Sequence, residues 1–505
     1  MTPISFKDYP KEPVVVENLS EKMMRESKFV PLEMGPDILR IAMADPEDFY
    51  TIDALRLASG LKMDVCQGKE GDILDAIEKL YGAGSQSLET IIEEAGKDIY
   101  DISPGGIEDA DRLRDLASEA PIIRLVNRLI FNAVEQRASD IHFEPFEDEF
   151  KARYRIDGVL HDVESPPTRL QAAIISRVKI MAKLDIAERR LPQDGRIKLK
   201  IADKEIDFRI STIPTLFGES LVMRILDRDT LVLDLEKIGF PEDILAQYNE
   251  LVSQPYGMIL VTGPTGSGKT STLYTTLAKI NSPENKIITL EEPVEYQLNG
   301  VNQIQVNPKI GMTFAKGLRS IVRQDPDIIL VGEIRDRETA EIAIQSALTG
   351  HLLFSTLHTN DAAGAITRLL DMGVESFLLS STLLGVLAQR LVRVICPHCK
   401  EPTRPVEKLL NSMGIRSDEA SGIEFFAGKG CEECRYTGFK GRTAIFEYLP
   451  VDDEIRREIT NKSSAERIKE VAMRKGLMTL RQDGWRKVRK GVTTISEVLK
   501  VTLEK

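Results

Sequence analysis

The chain has five cysteines, one tryptophan and no apolar run approaching the roughly 18 residues that a membrane-spanning helix needs. So few cysteines argue against a disulfide-stapled secreted domain. Five is odd, and four of them sit in two tight pairs, Cys396 with Cys399 and Cys431 with Cys434. Positive charge is short as well: 67 lysines and arginines face 79 acidic residues, for a net charge of −12. A protein devoted to duplex DNA carries a basic excess to neutralise phosphates, so this balance points away from nucleic acid as a partner. The first residues, Met1-Thr-Pro-Ile-Ser-Phe-Lys-Asp, lack a basic stretch followed by an apolar core. That predicts a cytoplasmic protein able to reach a membrane only through a partner. What remains is ordinary globular composition, 42% hydrophobic and 29% charged over 505 residues, enough for about three domains.

The residues that are present organise around one stretch. Residues 258–262 are apolar and run into Gly263, Pro264, Thr265, Gly266, Ser267, Gly268, Lys269 and Thr270, which fit G-x-x-x-x-G-K-[ST] ahead of a helix-like sequence. Glycines there let backbone N–H groups turn inward around an anionic phosphate, and the N-terminus of the next helix adds partial positive charge. Lys269 supplies a full charge to the β- and γ-phosphates, and the Thr270 hydroxyl can complete a Mg²⁺ shell. Residues 263–271, through Ser271, are therefore the expected nucleotide-binding segment, with ATP and Mg²⁺ as cofactors.

Residues 1–84 hold amphipathic segments without a catalytic constellation and read as a small partner-docking module. Residues 85–112 read as a linker, because acidic, glycine- and proline-containing sequence buries little apolar surface. Residues 113–232 predict an α+β domain: residues 122–135 show helical spacing, and residues 150–160 alternate and end on Asp157-Gly158, a strand-and-turn signal. That domain is rich in arginine, including Arg189, Arg190, Arg196, Arg209 and Arg224, and a guanidinium is a planar fork suited to phosphate oxygens. From 233 to 505 short apolar strands alternate with helices, as in a doubly wound α/β sheet, ending in locally basic helices over 451–505.

In such sheets ligands bind beyond the carboxyl ends of the strands, so the polar strand ends should gather near Lys269. Residues 328–333 give a strand ending in Gly332-Glu333, and Glu333 can hold the water shell of Mg²⁺. Residues 288–295 bring Glu291, Glu292 and Glu295, any one of which can accept a proton from an attacking water. His351 and His358 bracket a strand; His358, at its carboxyl end, is the better γ-phosphate sensor, and His351 reads equally as structural. Arg319, Arg323 and Arg335 flank these elements and can carry charge to a phosphate or to a neighbouring subunit. The two C-x-x-C pairs predict a closed, structural Zn²⁺ site of four thiolates at 395–440, against a thioredoxin-like redox pair as competitor.

Taken together, Ala138-Ser-Asp-Ile-His-Phe-Glu-Pro, the phosphate loop, Val331-Gly-Glu-Ile-Arg-Asp, Leu353-Phe-Ser-Thr-Leu-His-Thr-Asn and the four cysteines resemble the type II secretion / type IV pilus assembly ATPase family. Length and the single N-terminal module make the type II secretion member the nearer likeness and the pilus extension motor the alternative. The resemblance implies a homohexameric ring of RecA-like motor domains, each preceded by a small α+β, PAS-like domain and interrupted by a zinc knuckle. It implies Lys269, Glu295 and Glu333 as catalytic groups, Glu291 to Glu295 and the two histidines as acidic and histidine boxes, and Arg209, Arg224, Arg319, Arg323 and Arg335 as arginines reaching nucleotide. The acidic box departs from the family, with Glu292 where aspartate is usual, which favours Glu295 as proton acceptor. The resemblance also implies docking of the N-terminal module on a bitopic inner-membrane platform protein, and of the ring on a polytopic one. No repeated Arg-Leu-Gly…Leu pattern of the kind that binds a cyclic dinucleotide in some relatives is present.

Overall fold

A computed structural model of the chain describes residues 9–10, 14, 16, 21–35, 38–81, 110–163, 165–201, 204–227, 234–404, 407–416, 420 and 422–502. Its contacts divide it into two compact units, 1–227 and 228–505. Most of the expected linker lies outside the described residues. Residues 110–112 of that linker are helical, because the helix Ala110–Ser118 buries Leu113 and Ala117.

The first unit holds two sheets. Strands Phe29–Met34, Ile38–Met43 and Lys62–Gln67 form a three-stranded sheet, backed by the helix Glu70–Tyr81. The second sheet has six antiparallel strands in the order Val159–Asp162, Phe150–Ile156, Asp140–Pro145, Gly218–Asp227, Lys204–Thr215, Gln193–Ile201. Helix Ala120–Glu135 starts on a proline in its first turn and buries Ile122, Leu125, Val126, Leu129, Ile130 and Ala133, the helical stripe visible in the sequence. The Tyr154 hydroxyl donates to the Leu129 carbonyl at 2.6 Å and ties that helix to the sheet. Alternation sorts the strand Lys204–Thr215: Ile206, Phe208 and Ile210 face the core, which leaves Arg209 on the other face.

The second unit is built on a seven-stranded sheet in the order Val301–Gln305, Ile287–Glu291, Ile328–Val331, Leu352–Leu357, Gly257–Thr262, Leu383–Ile395, Phe439–Pro450. All neighbours are parallel except the last pair. Its central strands are buried on both faces, which is why they read as continuous apolar runs. Met258 and Leu260 enter one core cluster while Ile259 and Val261 enter the other. Each such fully buried side chain contributes about 2 kcal/mol of transfer free energy. Between the last two strands the chain inserts the hairpin Lys400–Thr403 with Phe425–Gly428 and the helix Glu407–Met413. Four helices, Asp453–Thr460, Ala465–Arg474, Leu480–Arg489 and Ile495–Thr502, then pack back on the core through Ile455, Ile468, Val488 and Val498. Their basic residues are partly engaged: Arg486 pairs with Asp243 at 2.9 Å and Lys487 donates to the Gly239 carbonyl at 2.6 Å. Among the described residues no helix is long and apolar enough to cross a membrane.

Candidate functional site

Parallel pairing sends the ends of four strands to one edge of the sheet, and the polar residues follow. Gly257–Thr262 leads into the phosphate loop, and the helix Lys269–Ile280 begins straight after it with Gly268 as its cap at φ 88°. That φ is left-handed and favours glycine, and a Cβ on Gly268 would also press on the Gln389 side-chain amide, at 2.7 Å from its Nε2. The loop, Glu291, Glu292, Glu295, Glu333, Arg335 and His358 line one open cleft of about 500 Å³.

Lys269 is buried and folds back on its own loop, donating to the Gly263 carbonyl at 2.7 Å and to Pro264 at 3.2 Å. Burial pulls its ammonium down to about 8, against the opposing attraction of Glu333. Burial works to raise the Glu333 carboxyl, but the Arg335 hydrogen bond and the charges of Arg335 and His358 outweigh it and hold Glu333 below its ordinary value. The His358 Nε2 lies 3.3 Å from Glu333 Oε2. Arg335 spans two strand ends, bonding Glu333 and, at 2.9 Å, Glu292. Glu291 is more deeply buried; desolvation raises its carboxyl despite hydrogen bonds from Thr289, Tyr274 and Gln303. The Glu295 amide donates to the same Tyr274 hydroxyl at 3.3 Å. Glu292 is thus held by an arginine, and Glu295 lines the cleft with it.

Other residues named from the sequence fall elsewhere. His351 sits at the opposite, amino end of its strand, with Nδ1 2.8 Å from the Ser346 carbonyl, and does not line the cleft. Arg319 pairs with Glu338 at 2.8 Å, and Arg323 donates to the Arg319 carbonyl at 2.6 Å; neither lines the cleft. Arg209 and Arg224 belong to the first unit, where they stand opposite each other across paired strands. The row continues on both sides in register as Arg155, Asp140, Arg224, Arg209, Arg196. Asp140 accepts from Arg224 at 3.0 Å and lies 3.8 Å from Arg155. The row thus sets four guanidiniums and one carboxylate side by side across five strands.

The cysteine pairs come together although 31 residues separate them: the four sulfurs all lie within 4.8 Å of one another. Backbone amides already point at them. Gly430 donates to the Cys399 sulfur at 3.3 Å, and Cys431 and Gly438 donate to the Cys434 sulfur at 3.2 Å each. Burial alone would raise the Cys434 thiol, but the Cys431 and Gly438 amides and the neighbouring sulfurs bring it down to about 6, while burial holds the Cys399 and Cys431 thiols above their ordinary value. Four sulfurs with N–H donors are a donor set that fits one tetrahedral soft metal ion with no open position.

Comparison with known proteins decides the lineage. Residues 115–500 match the family model described as type II/IV secretion system protein, and residues 2–87 match the MshEN domain. The chain belongs to the type II/IV secretion system protein family. It is 53% identical over 96% of its length to the type II secretion system protein E of Xanthomonas campestris pv. campestris, covering 85% of that protein. It is 46% identical over 98% of its length to the type IV pilus assembly ATPase PilB of Myxococcus xanthus, covering 88% of it. Among solved structures, the pilus retraction motor PilT with bound ADP matches at a TM-score of 0.50 and 26% identity, over 74% of this chain and 96% of that one. The chain is accordingly an α/β P-loop ATPase with a small N-terminal domain.

Several cleft residues escaped the sequence reading. Tyr274, on the helix after the loop, holds Glu291 and the Glu295 amide, and Arg442 lines the cleft from the last strand. Gln389 and Arg390 lie buried beside the loop. Their signal was a polar pair in the apolar run Leu383–Ile395.

Proposed function

We propose that this chain is the ATP-hydrolysing motor of a type II secretion system, working as a homohexamer at the cytoplasmic face of the inner membrane. The observation that carries the reading is the gathering of Lys269, Glu333, His358 and the acidic strand end around one cleft beside the phosphate loop. Identity to relatives named for type II secretion, 53% against 46% for PilB, favours secretion over pilus extension.

In this reading residues 263–271 cradle the nucleotide phosphates, with Lys269 paired to their charge. Thr270 and Glu333 would hold Mg²⁺, which when bound neutralises charge on the phosphate oxygens. Glu295 accepts the proton of the attacking water, and His358 senses the γ-phosphate from its place beside Glu333. Arg335, Arg209 and Arg224, with Arg319 and Arg323 acting toward a neighbouring subunit, stabilise charge developing on the transferred group. Cys396, Cys399, Cys431 and Cys434 would hold a structural Zn²⁺ that fastens the insert. Residues 1–84 dock on a bitopic membrane protein of the platform, and the ring acts on a polytopic one.

Capture of the full-length chain on immobilised cytoplasmic segments of the bitopic secretion protein and of its pilus counterpart separates the two readings. Retention on the secretion segment supports the proposal; retention on the pilus segment alone replaces it with pilus extension.

A further inference from the structure

Gln389 and Arg390 interrupt the apolar middle of a strand that neighbours the phosphate-loop strand. Both are buried, at 0% and 7% exposure. Thr262 pairs with Ala388, so the two residues run beside the start of the loop, just past the last paired position. The approach is close. A Cβ on Gly263 would lie 2.5 Å from the Gln389 carbonyl oxygen and 3.0 Å from Arg390 Nη1. Gln389 Oε1 accepts from Thr272, on the helix that follows the loop, at 2.8 Å. Arg390 donates through Nη1 to the Gln389 carbonyl at 3.0 Å and through Nη2 to the Asn360 carbonyl at 2.8 Å. Asn360 follows Thr359, whose amide donates to the Thr262 hydroxyl at 2.9 Å. One guanidinium therefore ties the strand that runs against Gly263 to the segment that carries His358.

The same guanidinium faces a second set of groups. Glu447, paired in register with Ala388 on the adjacent strand, is 2% exposed and accepts from the amides of Ala362 at 2.9 Å and Leu480 at 3.4 Å. Those amides sit at the starts of two helices, Ala362–Asp371 and Leu480–Arg489. Asp361 caps the first of them through Gly364 and pairs with Lys469 at 3.0 Å. The Glu447 and Asp361 charges partly offset the burial of Arg390. An apolar side chain of similar length would fill this space without the desolvation cost of a buried cation, so stability alone does not call for an arginine here.

We propose that Arg390 is a positioning residue for the phosphate loop and that, with Glu447, it joins that loop to the starts of helices Ala362–Asp371 and Leu480–Arg489. The inference rests on the reading that residues 263–270 bind nucleotide. Arg390 also adds a positive charge beside Lys269, where it acts with burial and against Glu333.

The test measures affinity for a fluorescent ADP, as a function of pH, in full-length Arg390→Met and Arg390→Lys variants, with thermal melting as control. Arg390→Met should bind about tenfold more weakly at neutral pH, because the loop loses its brace. The alkaline limit of its binding should move upward, because Lys269 loses a neighbouring positive charge, a shift that a merely structural role would not produce. Arg390→Lys keeps the charge without bridging both carbonyls, and should keep the wild-type alkaline limit with weakened affinity. Wild-type affinity and an unmoved limit in Arg390→Met would overturn the proposal. If the variants do not fold, hydrogen exchange on the wild-type chain decides: ADP should slow the amides of Ala362 and Leu480, and protection confined to residues 263–271 would overturn it. Undiminished binding by Lys269→Ala would instead sink the reading of the loop itself, so the two failures are distinguishable.

Discussion

Removing one hydroxyl, with Tyr274→Phe, tests how the acidic wall of the cleft is held. Tyr274 donates to the buried Glu291 carboxylate and accepts from the Glu295 amide at 3.3 Å. A hydrogen bond to a charged group is worth about 2 kcal/mol, and here the carboxylate keeps only Thr289 at 2.6 Å and a long contact to Gln303 at 3.3 Å. For a domain of this size that loss lowers Tm by roughly 4–8 °C. The dependence on pH has a definite sign. Burial raises the Glu291 carboxyl in the folded state, while the Tyr274 bond favours its ionised form. The bond's contribution is therefore present above the folded pKa and lost as pH falls through it, so the deficit is full at alkaline pH and shrinks at acid pH. Turnover should fall about tenfold as well, because Glu295 loses its main-chain anchor. Melting curves of both proteins at alkaline and at acid pH, with a phosphate-release assay, check the argument. An unchanged Tm at the higher pH, or an equal deficit at both, would refute it.

Three further outcomes are expected. ADP affinity should decline as pH rises through about 8, where Lys269 loses its charge, and fluorescence titration up to about pH 9.5 should show that limb. Arg393 holds the buried Glu497 carboxyl below its ordinary value through bonds of 2.9 and 2.6 Å, although burial works to raise it. Glu497→Ala should cost about 3 kcal/mol and expose the helix Ile495–Thr502 to protease; in the wild type the pair's contribution is present above the unfolded carboxylate pKa and lost as acid takes the pH through the folded one. Finally, metal analysis should find one zinc per chain, and Cys431→Ser should lose it together with protease resistance across residues 396–439.

Much of the motor's architecture could be read directly from the chain, because parallel strands buried on both faces leave continuous apolar runs and their polar ends must share one edge. Lys269, Glu333 and His358 were legible for that reason. His351 precedes its strand, so the rule that ligands bind beyond the carboxyl ends already favoured His358, and the parallel register puts His351 on the far side. Arg319 and Arg323 sit close to the site in sequence, but one helix turn aims them at Glu338 and at a main-chain carbonyl. Tyr274 and Arg390 were missed for the opposite reason: each acts on residues 17 to 30 positions away, and such partners appear only once the strands are ordered. The arginine row of the first unit likewise depends on register across five strands, which composition does not encode.

The central claim is that the cleft around residues 263–270 hydrolyses ATP with Lys269 and Glu333 as its working groups. Phosphate release by the assembled full-length chain, beside Lys269→Ala and Glu333→Gln, tests it most directly. The expected result is turnover by the wild type, loss of about a hundredfold or more in both variants, and nucleotide binding retained only by Glu333→Gln. Turnover near the wild-type rate in either variant would contradict it.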